Sequence, residues 1–111
     1  MANENEEKNE TYVHKEKKTT ENIFQVISDA MNQRARQVTI NATDGTTLSI
    51  WINEVQEIEN TGDLIRIKLK NLRSRITIYY KGVSDIEIFR SQRAFKDEVV
   101  VFEDEREEID L

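Results

Sequence analysis

Apolar residues recur with two different periods along this chain, and the change of period divides it. Ile23, Phe24, Val26, Ile27, Ala30 and Met31 follow helical spacing and form one stripe. The segment is therefore predicted to be a helix resting on a core. Thr19, Thr20 and Glu21 stand at its start, where a hydroxyl can cap the first orphan N–H groups. The polar run from Asn32 to Gln37 ends it. Arg34 and Arg36 lie in this exit, where positive charge suits the C-terminal end of the helix dipole.

Beyond the helix the period is two. Val38, Ile40 and Ala42 alternate with polar residues up to Asp44-Gly45, a dipeptide that predicts a hairpin turn because both positions accept positive φ. Leu48, Ile50 and Ile52 then share one face. The next apolar residues are Val55 and Ile58, out of phase with that face. Such a slip predicts a bulge or sharp bend inside one long strand. Turns at 60–63, 71–74 and 82–85 separate three further alternating runs: Ile65, Ile67 and Leu69; Ile76, Ile78 and Tyr80; Ile86, Ile88 and Phe89. One helix followed by five strands with short turns predicts a mainly β domain, a bent five-stranded antiparallel barrel of the SH3-like kind.

The ends of the chain read differently. Residues 1–21 and 103–111 are charged and poor in apolar side chains, and burial there is too small to offset the entropy of ordering. The expected organisation is a disordered segment over 1–19, one domain over 20–90, and an acidic tail over 91–111. The brief apolar run at 99–102 is a candidate edge strand or partner-binding segment. Charge follows the same division. The overall charge of −6 is distributed as −2 over residues 1–21, +3 over 22–96 and −7 over 97–111. Like-charged blocks of this kind are solvated and often serve as interaction tails.

Composition removes several function classes. The chain of 111 residues holds no Cys and no Pro, so neither a disulfide framework nor a thiolate metal site exists. No apolar run is long enough to span a membrane and no signal-peptide pattern is present, which predicts a cytoplasmic protein. The only histidine, His14, lies in the segment expected to be disordered, so acid–base and triad chemistry lack their usual partner. Carboxylates gather in the tails without a spacing that fixes a metal. The expectation is a binding protein without catalytic residues, metal or cofactor.

The helix-then-five-strands order resembles the Sm-like fold, and residues 20–90 are most similar to its bacterial branch, Hfq. The segment VTINATDGTTLSI resembles the family's first strand, turn and second strand, with Gly45 at the turn glycine. Asn60 resembles the Asn that closes the first Sm motif. Leu69-Lys70-Asn71 resembles a Leu-Lys-Asn of Hfq. Tyr80-Lys81-Gly82, continuing through Val83-Ser84-Asp85-Ile86, resembles its Tyr-Lys-His stretch and last strand, as well as the Arg-Gly of the second Sm motif elsewhere in the superfamily. The departures are also specific. Ile50 stands where the first motif has its second glycine, and Gln56 where it has an Asp. Gly82 replaces the pore-lining His, Glu57 the Gln beside the uridine pocket, and Asn41 the aromatic residue of the adenine-binding face.

The resemblance implies a homo-oligomeric ring, hexameric in Hfq, made by pairing the fourth strand of one copy with the fifth of the next. It also implies a ligand of single-stranded RNA or a small nucleotide near Lys81, with Arg34 and Arg36 resembling the family's arginine rim. The residues themselves add a basic stretch, Lys70, Arg73, Arg75 and Lys81, together with Tyr79 on the polar face. Cations there can neutralise phosphate and an aromatic ring can stack on a base. Alternating charges on a wet sheet face are equally ordinary. The rival expectation is a protein-interaction or inhibitory module, phage-derived in one version, that uses the acidic tail or an exposed Trp51 to meet a protein partner.

Overall fold

A computed structural model describes residues 12–71, 75–90 and 98–103. The structure is mainly β, with eight strands and one helix among the described residues. In chain order they are β1 (Tyr12–Lys17), α1 (Thr20–Asn32), β2 (Gln37–Ala42), β3 (Thr47–Trp51), β4 (Val55–Asn60), β5 (Leu64–Leu69), β6 (Arg75–Tyr79), β7 (Val83–Phe89) and β8 (Glu98–Glu103).

The helix begins where the hydroxyl pattern predicts. Thr19 is extended, and its Oγ1 accepts the Asn22 N–H at 3.0 Å. Thr20, Ile23, Ile27 and Ala30 form the buried stripe, which lies over β4 and β5. The C-terminal end closes as a Schellman motif. The Ala35 N–H bonds to the Ala30 carbonyl at 2.9 Å and the Arg34 N–H to the Met31 carbonyl at 3.1 Å. The position between them, usually Gly, is Arg34, with φ at 61°. A left-handed backbone at a residue with a Cβ costs about 1–2 kcal/mol.

The strands form two sheets rather than one closed barrel. One has the order β1-β8-β7-β2-β3 and the other β4-β5-β6. The phase slip after Ile52 is a 3-10 turn, Ile52–Glu54, that carries the chain from β3 in the first sheet to β4 in the second. A matching turn, Tyr80–Gly82, carries it back from β6 to β7. Both are pinned by backbone hydrogen bonds: Ile52 N–H to the Arg36 carbonyl at 3.0 Å, Lys70 N–H to the Glu54 carbonyl at 2.9 Å, and Thr43 N–H to the Gly82 carbonyl at 2.9 Å. The Asp44-Gly45 hairpin forms as expected, with Gly45 at φ 95°. The Asp44 carboxylate accepts both the Thr46 N–H, at 2.9 Å, and the Thr46 hydroxyl, at 2.7 Å.

The core draws on both sheets and the helix. Ile23, Ile65, Ile67, Ile86 and Val38 are its most enclosed large side chains. Val100 and Phe102 of β8 are also buried in it, so a segment expected as a tail with a short strand contributes core packing. Arg90 fastens β8 to β7 and to the helix exit. Its guanidinium meets Glu98 at 3.1 Å and donates to the Gln33 side-chain oxygen.

Tyr12–Lys17, expected to be disordered, is the second departure. This segment is the edge strand β1, parallel to β8 in a register that sets Tyr12 beside Glu98 and Lys17 beside Glu103. The Lys18 N–H continues that ladder to the Glu103 carbonyl at 3.0 Å. All six side chains of β1 are exposed. A strand held by its ladder and by surface contacts such as Lys15–Glu103, 3.5 Å apart, leaves no hydrophobic signal in the sequence. The edges expected to be free for ring assembly are those of the fourth and fifth strands, here β6 and β7. Among the described residues β6 has a strand on one side only, whereas β7 has β2 on one side and β8 on the other, so the chain fills the β7 edge itself.

Candidate functional site

The helix exit and the bend after β3 meet at one end of the five-stranded sheet. Between them lies a cleft of about 570 Å³ lined by Met31, Arg34, Ala35, Arg36, Trp51, Ile52, Asn53 and Glu54. Each wall has a local cause. The Schellman cap turns the chain sharply at Arg34, and the buried Ala35 anchors the exit. The Arg36 backbone is held from both sides: its N–H bonds to the Phe89 carbonyl at 2.8 Å, and its carbonyl accepts from Ile52. Trp51, on the last residue of β3, has the opposite parity to the buried Ile50 and is 47% exposed. Apolar side chains thus line the cleft beside two exposed arginines. Glu54 is the acidic group among the lining residues.

The basic and aromatic residues predicted from the sequence divide into three places. Arg34 and Arg36 line the cleft. Lys70 is exposed just past β5, its backbone bonded to Glu54 near the cleft. Arg75 and Tyr79 are exposed on the outer face of β6, and Tyr79 is 63% exposed. Lys81 lies in the turn after β6, at the other end of β2 from Arg36. The six-residue length of β2 puts about 20 Å between those ends. Arg73 lies outside the described residues. No single surface therefore gathers the basic stretch, and Lys81 stands apart from the arginine pair.

The outer face of the three-stranded sheet is also less positive than the spacing of its lysines and arginines implies. In the strand register Glu57 opposes Lys68, and Glu59 opposes Arg66. Lys68 in turn opposes Arg75. A shallow depression of about 160 Å³ on this face is lined by Glu57, Glu59, Arg66, Ile67, Lys68 and Arg75. Two carboxylates standing against the basic groups weaken the field a phosphate would feel. On the other sheet, Asn41 spans two carboxylates, donating to Asp85 at 2.6 Å and to Glu87 at 2.8 Å.

Among the described residues no group of three or more His, Asp or Glu side chains could hold a metal ion. No helix among them is long and apolar enough to cross a membrane. Of the other lining residues, Met31 and Ile52 were read from pattern as core positions, and Ala35, Asn53 and Glu54 were not singled out. The available signal was the helix exit itself: residues 32–37 hold no glycine, so a residue with a Cβ must occupy the left-handed cap. No protein-family profile matches the chain, and no curated protein or solved structure matches it.

Proposed function

We propose that this protein is a non-catalytic interaction module on an Sm-like scaffold, and that its cleft takes an acidic protein segment with an apolar anchor. The strand succession supports the scaffold: β2, the bent pair β3–β4, then β5, β6 and β7 follow the order of that fold behind one helix. The observation that carries the functional reading is Arg34. Strained backbone at a residue that is not glycine persists where the surrounding structure over-determines it, and such strain clusters at functional sites. Here the strain holds a guanidinium at the mouth of a cleft beside Arg36 and an exposed Trp51. Trp and Arg are the residues that most often dominate protein interfaces.

A nucleic-acid ligand is the rival. Trp51 could stack on a base and the arginines could meet phosphate. The apolar lining and the distance to Lys81 favour the protein segment.

The test uses the single tryptophan of the chain as the reporter. Peptides selected by display against the full chain are expected to share an apolar residue flanked by Asp or Glu and to shift Trp51 emission. Arg36→Glu is expected to weaken them about tenfold or more. Arg34→Gly is expected to relieve the cap, stabilising the fold by about 1 kcal/mol while weakening the same peptides. If single-stranded oligonucleotides shift Trp51 instead, with affinity falling steeply as salt rises, the cleft serves nucleic acid and the proposal fails.

A further inference from the structure

A second surface follows from the sheet edges and does not depend on the cleft. Among the described residues β6 is the outer strand of the three-stranded sheet, with β5 on one side and no strand on the other. Exposed edges are usually guarded by charge. The outer strand β1 of the larger sheet carries Lys15, Glu16 and Lys17, and β4 carries Glu57 and Glu59. The centre of β6 is Ile76-Thr77-Ile78, without a charge, a proline or a bulge.

The sequence of β6, Arg75-Ile76-Thr77-Ile78-Tyr79, is also nearly its own reverse. An antiparallel pair about a two-fold axis through Thr77 sets Ile76 against Ile78 of the other copy twice, on the core side. On the outer side it sets Thr77 against Thr77 and Arg75 against Tyr79. Each of these is a favourable cross-strand pair: aliphatic with aliphatic, hydroxyl with hydroxyl, guanidinium over an aromatic ring. A shift by one residue would put core-side residues opposite outer ones. A shift by two leaves residues at both ends unpaired. The register centred on Thr77 alone engages all five residues.

The remaining uncharged edge is β3, and its outward groups are already occupied. Its Ser49 hydroxyl shares a hydrogen bond with Thr39 at 3.0 Å, and its Thr47 hydroxyl donates to Asn41 at 2.9 Å. On β6, Arg75, Thr77 and Tyr79 make no side-chain hydrogen bond or ion pair among the described residues. Ile76 is only half-buried. We propose that β6 is a homodimer edge, joining two copies of this chain into a continuous six-stranded sheet, β4-β5-β6-β6-β5-β4. The contact is isologous and closes at two copies. Five residues a side make a small interface, so the association is weak and concentration-dependent.

The test is sedimentation of the full chain over a concentration series, with two variants and a pair of cysteine probes. The wild type is expected to move from monomer to dimer. Thr77→Lys places like charges face to face on the axis and is expected to hold the chain monomeric with an unchanged circular-dichroism spectrum, because Thr77 is exposed. Ser49→Lys is expected to leave the dimer intact. The chain has no native cysteine. Across paired strands the Cα separation of 4.5–5.5 Å suits a disulfide. Thr77→Cys is therefore expected to cross-link with oxidised glutathione faster than Ser49→Cys. A wild type that stays monomeric up to about 1 mM, the weak end of measurable association, overturns the proposal. So does a dimer that Ser49→Lys disrupts and Thr77→Lys does not, or equal cross-linking at the two cysteines.

Discussion

The two sheets finish their edges by different means. In the five-stranded sheet β8 covers β7, and β1, carrying lysines, then covers β8. In the three-stranded sheet β6 ends at Ile76-Thr77-Ile78 with nothing beside it among the described residues. The first edge is closed by backbone pairing and guarded by charge; the second is left able to recruit a strand. The difference shows that covering an edge and filling a core are separate tasks. β8 does both, since it pairs with β7 and buries Val100 and Phe102. β1 does only the first.

That contrast can be broken most forcefully at Phe102. Phe102→Ala removes a buried ring from the strand that links edge and core, and should cost about 3–5 kcal/mol, a large part of the stability of a small domain. Urea unfolding measures it. A cost below about 1 kcal/mol would place β8 outside the core. A smaller effect is expected at β1. With all its side chains exposed, it should open without the rest of the sheet, so its amides should exchange with solvent ahead of those of β7. Simultaneous exchange would make β1 part of the cooperative core.

The smallest effect is expected at the β2–β3 turn. Hydrogen bonds from the Thr46 backbone and hydroxyl hold the Asp44 carboxyl below its ordinary value of 3.8. A depressed folded-state value means stability that is present above the ordinary value and lost as pH falls through the folded one. The Tm difference between wild type and Asp44→Ala should therefore be seen at neutral pH and fade in acid below 3.8. A difference that persists in acid would assign the effect to something other than the charge.

Where side chains are buried in a regular pattern, the fold was legible in the sequence. The Ile23–Ile27–Ala30 stripe announced α1, Asp44-Gly45 announced its hairpin, and the lost phase between Ile52 and Val55 marked the turn between sheets. Parity also placed Trp51 and Tyr79 in solvent and left Tyr80 packed against the core. Pattern failed where structure rests on the backbone. β1 buries none of its side chains, so composition read it as disordered. Val99–Phe102 was read as a candidate edge strand; the acids around it hid only that it packs in the core, because a mean over a charged window dilutes four apolar residues. The division of the strands into two sheets is a matter of pairing, which no local period records.

The candidate site was legible only in pieces. Arg34, Arg36 and Trp51 each stood out, but nothing in their spacing joined the helix exit to the end of β3. That junction is made by the Ile52–Arg36 hydrogen bond and the left-handed cap. Lys81 and Arg75 were drawn together by sequence proximity, which the turn after β6 undoes.

The parallel pairing of β1 with β8 also sets an order of events. The ribosome releases β1 first, yet its partner strand emerges only after every other described element has been made. Until then its six residues have no ladder to join, and the edge of β7 stands open. Both edges of the molecule that can recruit a neighbour, β6 and the still uncovered β7, are thus exposed together on the growing chain. Residues 98–103 end that interval by covering β7, and β6 is left to recruit a neighbour.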